Sequence, residues 1–230
     1  MSPEVKEASA EVKEDKAIYK HAFWLYGVII GLAIKQALDS VLPHWINPGV
    51  APDLHPLHGK YLEWLRLFVF LFLAIRFYLG SAYYFGQVHE SDSADKDFPH
   101  RSFGTDFVLG FLHFLGFIFL ASAIHVHTGE PMRLFPLGII FVLGFDGAWF
   151  LYSLASKLDS RKLIKWWAIV NVGTVIICIA VYWPIQSWHG SMRAEMWVLW
   201  VVFVITLFDI GWMMARKPFF QPVKEALTRE

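Results

Sequence analysis

A single cysteine, Cys178, stands in the 230-residue chain, inside an apolar run. One thiol excludes an intrachain disulfide and any metal site built from cysteines. Neither sign of charge is in excess, since 20 Lys and Arg balance 20 Asp and Glu. The basic footprint of a nucleic-acid binder is therefore missing, and no nucleic-acid partner is expected. No serine sits in a nucleophile-elbow frame, and no Gly-rich phosphate loop is present. The opening stretch, MSPEVKEASAEVKEDKAIYK, is charged along its whole length. It lacks the short apolar core of a cleavable signal peptide and reads as a solubilising tail, helical from Ser2-Pro3-Glu4 onward.

What is plentiful is apolar. Hydrophobic residues make up 56% of the chain and aromatics 17%, and the mean hydropathy is +0.45. A water-soluble domain has no place to hide that much apolar surface. Six segments of about 20 residues, the length that crosses a hydrocarbon core roughly 30 Å thick, carry most of it. They run over 22–42, 62–87, 106–127, 134–156, 164–184 and 196–215. The expected fold is an all-α integral membrane protein of six transmembrane helices in three hairpins. Residues 1–21 and 217–230 are tails flanking one membrane domain over 22–216.

The basic residues set an orientation. Lys6, Lys13, Lys16 and Lys20, then Lys96 and Arg101, then Lys157, Arg161, Lys162 and Lys165, and finally Arg216, Lys217, Lys224 and Arg229 all fall on one side. The other side holds only Lys60, Arg133 and Arg193. The positive-inside rule puts both termini in the cytoplasm of a plasma or bacterial inner membrane. Trp24, Trp45, Trp64, Trp166, Trp167, Trp183, Trp188 and Trp197 fall near helix ends, where amphipathic rings prefer to sit.

Against this background a few charges are out of place. VLGFDGAWFLYS and ITLFDIGWMMAR each put an aspartate, Asp146 or Asp209, in the middle of an apolar run. FLAIRFYLGSAYYFG does the same with Arg76. Counted from the starts of their helices, the three lie at nearly one depth, at about 1.5 Å per residue. A lone charge at mid-bilayer costs roughly 2.5–3.5 kcal/mol on insertion scales. A guanidinium facing two carboxylates offsets much of that. An Arg76–Asp146–Asp209 cluster is expected, serving as a structural lock or as the gate or coupling site of a transporter.

The first helix adds Gly27, Gly31, Lys35 and Asp39 on one face. The glycines suit close helix packing, and Lys35 and Asp39 suit an outer polar pair. Asp106, His113 and Asn171 suit an inner polar path, continued by Thr174, Cys178, Tyr83, Tyr84, Gln87, Ser153 and Ser156.

His113 and His127, fourteen residues apart, imitate a haem-bearing spacing, but no second span offers the partner ligands. His55, His58, His125 and His127 are weak zinc candidates on the outer side. No cofactor is expected, and haem and zinc are both disfavoured. The preferred function is that of an oligomeric channel or transporter for an ion or small solute, with the bilayer and further copies of the chain or a membrane partner around it. The alternatives are a membrane effector or assembly subunit acting through protein partners, and a membrane enzyme with an outer-face histidine metal site.

Overall fold

The computed structural model describes residues 21, 23–42, 58–85, 103–124, 134–155 and 161–215. Among them are six α-helices and no strand: α1 (Phe23–Leu42), α2 (His58–Phe85), α3 (Phe103–Ser122), α4 (Leu134–Ala155), α5 (Arg161–His189) and α6 (Ser191–Ala215). Five of them are long and apolar enough to cross a membrane. The exception is α3, whose apolar stretch is the shorter Phe107–Ser122.

The distribution of polarity is the reverse of a water-soluble bundle. Leu32, Phe68, Ile75, Phe119, Phe141, Leu151, Ile176 and Phe208 face outward. Arg66, Arg76, Glu63, Glu195, Asp209, Asn171 and Thr174 are buried. Apolar side chains facing outward from every helix fit a lipid solvent, whereas buried charges need partners within the protein. The chain is a multi-pass membrane protein.

Five helices close a ring. Around it α2 packs on α3, α3 on α4, α4 on α5, α5 on α6, and α6 back on α2. Consecutive helices pack along the chain, α4 on α5 as well as α3 on α4 and α5 on α6. α1 lies against the outside of the ring. Its stripe Tyr26, Ile30, Ala33, Ala37 and Val41 is buried, at the spacing of one helical face. Tyr26 stacks on Phe114 of α3, with centroids 4.8 Å apart, and its hydroxyl donates to the Phe107 carbonyl at 2.8 Å. Phe23 meets Tyr78 of α2 at 5.0 Å.

A buried ion pair closes one end of the ring. Arg66 of α2 donates from Nε to Oε1 of Glu195 on α6 at 2.6 Å. Its Nη1 donates to the carbonyls of Ala123 and Ile124, just past the end of α3, at 3.4 and 3.1 Å. Carbonyls at a helix C-terminus have no partner within the helix, so a guanidinium here satisfies them. The same guanidinium lies 5.5 Å from the centroid of Phe135, at the start of α4. One side chain thus ties together the end of α3 and the starts of α4 and α6. With Arg76 further along α2 and paired to α6, α2, α4 and α6 must run in one direction and α3 in the other.

The turn between α5 and α6 is tighter than expected. The sequence suggests a loop over 185–195, because Pro184 and the polar residues after it interrupt the apolar run. Instead α5 continues through Pro184 to His189, and α6 starts at Ser191. Only Gly190 separates them, at φ 86°, a left-handed conformation that glycine adopts without a Cβ clash. Its N–H donates to the Gln186 carbonyl at 3.1 Å. Trp183, Trp188 and Trp197 cluster around this turn and point outward, as an interfacial belt would.

Candidate functional site

Arg76, Asp146 and Asp209 come from α2, α4 and α6 and line one cavity inside the ring. The cavity has about 510 Å³ of empty space, its open mouth included. Its other walls are Phe77, Gly80, Ser81, His113, Trp149, Trp167 and Met213. Ser81 and Met213 lie near the ends of α2 and α6, and Trp167 near the start of α5. The lining therefore runs from the charged layer toward the end of the bundle opposite Arg66.

The three charges are not equivalent. Arg76 Nε lies 2.5 Å from Asp209 Oδ2, and both side chains are buried. The guanidinium also sits 5.1 Å from the centroid of Phe77. Asp146 belongs to a different set of contacts. Asn171 of α5 donates from Nδ2 to its Oδ2, and Nδ1 of His113 on α3 is 3.6 Å from its Oδ1. Asp146 keeps 13% of its side-chain surface open against 4% for Asp209, so it is the carboxylate that something entering the cavity meets.

Local sequence explains the Asp146 geometry. Gly147 follows it, and a Cβ there would come within 2.9 Å of Val172 Cγ2. The missing side chain lets α5 approach closely enough for Asn171, beside Val172, to reach the carboxylate. His113 is held by rings. Phe77 meets it edge-on at 4.6 Å and Phe145 lies at 5.1 Å. Its Nε2 has no hydrogen-bond partner among the described residues.

The FDGAW and FDIGW echoes differ in three dimensions. Phe145 and Trp149 of the first belong to the site. Phe208 and Trp212 of the second face outward, and Trp212 pairs with Trp166 at 6.4 Å. Only the aspartates are shared.

Other expected residues fall elsewhere. Lys35 and Asp39 pair with each other on α1, with 70% and 61% of their side-chain surfaces exposed, away from the cavity. The reason is rotation: they lie off the stripe through Ala33 and Ala37 that α1 presents to the ring. Gly27 touches Tyr78, but a Cβ on Gly31 would meet nothing within 4 Å. Among the described residues Gly31 therefore packs against no neighbouring helix, in contrast to the expectation from the Gly27–Gly31 spacing. The close approaches are at Gly147, at Gly138, where a Cβ would lie 2.8 Å from Leu120 Cδ1, and at Gly110, where it would lie 2.6 Å from the Tyr26 hydroxyl. Thr174 and Cys178 are buried on the Asn171 face of α5, but the Thr174 hydroxyl donates to the Val170 carbonyl of its own helix at 2.7 Å.

The side chains of Asp106, Tyr83, Tyr84, Ser153 and His58, and residues Gln87, Ser156, His55, His125 and His127, lie outside the described residues. Among the described residues no group of three metal-binding side chains occurs.

Sequence pattern alone does not disclose the Arg66–Glu195 pair. Arg66 belongs to an apolar run, and the Glu63–Arg66 spacing of three suggests a local pair on one helix. Glu195 precedes Met196, where the last span was expected to begin. The signal available was that an arginine one turn into a span needs a partner at the same depth. Comparison with protein-family models, curated proteins and solved structures returns no match.

Proposed function

We propose that the chain is a six-crossing membrane protein that moves an ion or small solute, with the Arg76–Asp209 pair and Asp146 as its gate or coupling site. In this reading α3 is the sixth crossing, and both termini, with the tails 1–21 and 217–230, are cytoplasmic. The observation that carries it is the cavity that reaches Asp146 inside a ring of membrane-length helices. A purely structural lock needs no space beside it, and buried ionisable residues lining a cavity in a membrane protein mark solute pathways. In this reading Arg66 and Glu195 close the bundle at the outer end, and the cavity opens toward the cytoplasm.

The polar face of α1 supports an oligomer. Gly31, Lys35 and Asp39 are exposed on a helix whose other outward residues are apolar. Lipid is a poor neighbour for an ion pair, and small residues permit close helix contact. A second copy of the chain, presenting the same Lys35 and Asp39, satisfies both.

The test is flux in reconstituted vesicles, measured for protons, alkali cations, chloride and small organic ions. Wild-type protein should conduct or exchange at least one of them, and Asp146→Asn should remove that activity without lowering the yield of folded protein. A folded wild-type protein inert toward every probe, but copurifying with a stoichiometric partner, would overturn the transport reading in favour of an assembly subunit.

A further inference from the structure

We infer that the cavity is a binding site for a small organic monocation, an ammonium with apolar substituents, held by the Asp146 carboxylate between aromatic walls. The inference rests on the transport reading for its purpose, but the site itself stands on geometry.

Charge comes first. Arg76 and Asp209 are in direct contact at 2.5 Å, and each neutralises the other. The carboxylate left over is Asp146. Its donor on α5 is a neutral amide, Asn171, and the His113 ring stands 3.6 Å away. Counting the acidic and guanidinium groups among the described residues that line the cavity, one carboxylate has no cation in contact. An entering anion meets that charge first, while the guanidinium it needs is already held by Asp209. An entering cation directly meets the part-buried carboxylate that lines the cavity.

The walls agree with the charge. Phe77, Trp149 and Trp167 line the cavity, with Met213 beside them. Aromatic faces attract a cation through the ring quadrupole, most strongly for Trp, and the interaction strengthens when the cation is desolvated. Alkali cations instead need a cage of oxygen ligands, and the described walls offer chiefly rings and one part-buried carboxylate. An alkylammonium suits both features, with its charge toward Asp146 and its carbon substituents against the rings. A mainly apolar pocket with a few convergent polar groups is the usual form of a small-molecule site.

The test is calorimetric titration of the detergent-solubilised protein with tetraethylammonium and, separately, with benzoate. Wild-type protein should bind tetraethylammonium and not benzoate. Asp146→Asn, which keeps the side-chain shape, should weaken cation binding at least about tenfold, the loss expected for a desolvated charge contact, and Trp149→Leu should weaken it severalfold. Melting curves of both variants establish that they fold. A second readout needs no change at Asp146. In Ser81→Cys, tetraethylammonium should slow alkylation of the new thiol at the cavity wall, the native Cys178 being buried.

Unchanged binding in Asp146→Asn, no protection of Ser81→Cys, or benzoate binding that Arg76→Gln removes would each overturn the cation site. Cation binding that depends on Asp146 in a protein without flux would keep the site and remove the transport reading. Flux inhibited by benzoate alone would keep transport and overturn this inference.

Discussion

At the scale of single residues, the three mid-membrane charges were legible because each interrupts an apolar run. Depth alone brought Arg76, Asp146 and Asp209 to one level. It did not say which carboxylate the guanidinium would take, because that depends on helix rotation. Rotation put Asp209 against Arg76 and Asp146 against Asn171. Arg66 and Glu195 are inconspicuous in the sequence because they sit near helix ends, where charges are ordinary. The two pairs make distinct predictions. Arg76→Leu strands Asp209 in the bundle and should cost about 3–5 kcal/mol of stability, with part of it restored in Arg76→Leu/Asp209→Leu. Arg76→Leu/Asp146→Leu should recover less, since those side chains are not in contact. Melting of single and double variants in detergent checks this, and equal recovery in both doubles would mean that the charges act through the field and not through the pair. Arg66→Leu should be at least as damaging as Arg76→Leu, because it also leaves the Ala123 and Ile124 carbonyls without their donor.

At the scale of elements, helix existence was plain from apolar run length, and helix ends were not. Polar residues in QSWHGSMRAE suggested a loop after Pro184, yet a membrane helix can extend past the hydrocarbon into the interface. The whole turn contracted to Gly190. Glycine spacing was similarly ambiguous, since it selects a face of a helix without saying what that face meets. At Gly110 an added methyl group collides with the Tyr26 ring. Gly110→Ala should therefore cost about 1–3 kcal/mol, the usual range for overpacking, and loosen α1 from α3. Gly31→Leu should leave melting of the isolated protomer unchanged, as no described residue stands within 4 Å of a Cβ at that position. A large loss from Gly31→Leu in monomeric protein would show that α1 packs with a different face.

At the scale of the whole molecule, helix direction ties topology to the charged layers. Arg66 gathers the end of α3 with the starts of α4 and α6, and Arg76 reaches the middle of α6. Even-numbered helices therefore run together, as alternating crossings require. Reporter fusions after Glu230 and at Gly190 should report opposite sides of the membrane, with Glu230 cytoplasmic. The same side for both would break the alternation. Assembly is the remaining question, and α1 poses it. Lys35 and Asp39 lie outside the ring, largely exposed, on a helix long enough to span the bilayer. Each could reach water only by snorkelling along the helix, and Asp39 is short for that. A neighbouring α1 packed at Gly31 instead places two Lys–Asp pairs side by side, each cation near two carboxylates. Because Cys178 is buried, Gly31→Cys supplies the only accessible thiol among the described residues. In native membranes mild oxidation should therefore convert Gly31→Cys protein to a disulfide-linked dimer, while Leu32→Cys, turned about 100° around the helix, should crosslink far less. Neutralising both charges, Lys35→Met with Asp39→Leu, tests whether the ions or the glycines carry the contact. If crosslinking persists, close packing at Gly31 suffices, and if it falls with the charges, the ion pairs hold the copies together. Equal crosslinking at 31 and 32 would indicate random collision and remove α1 as the interface.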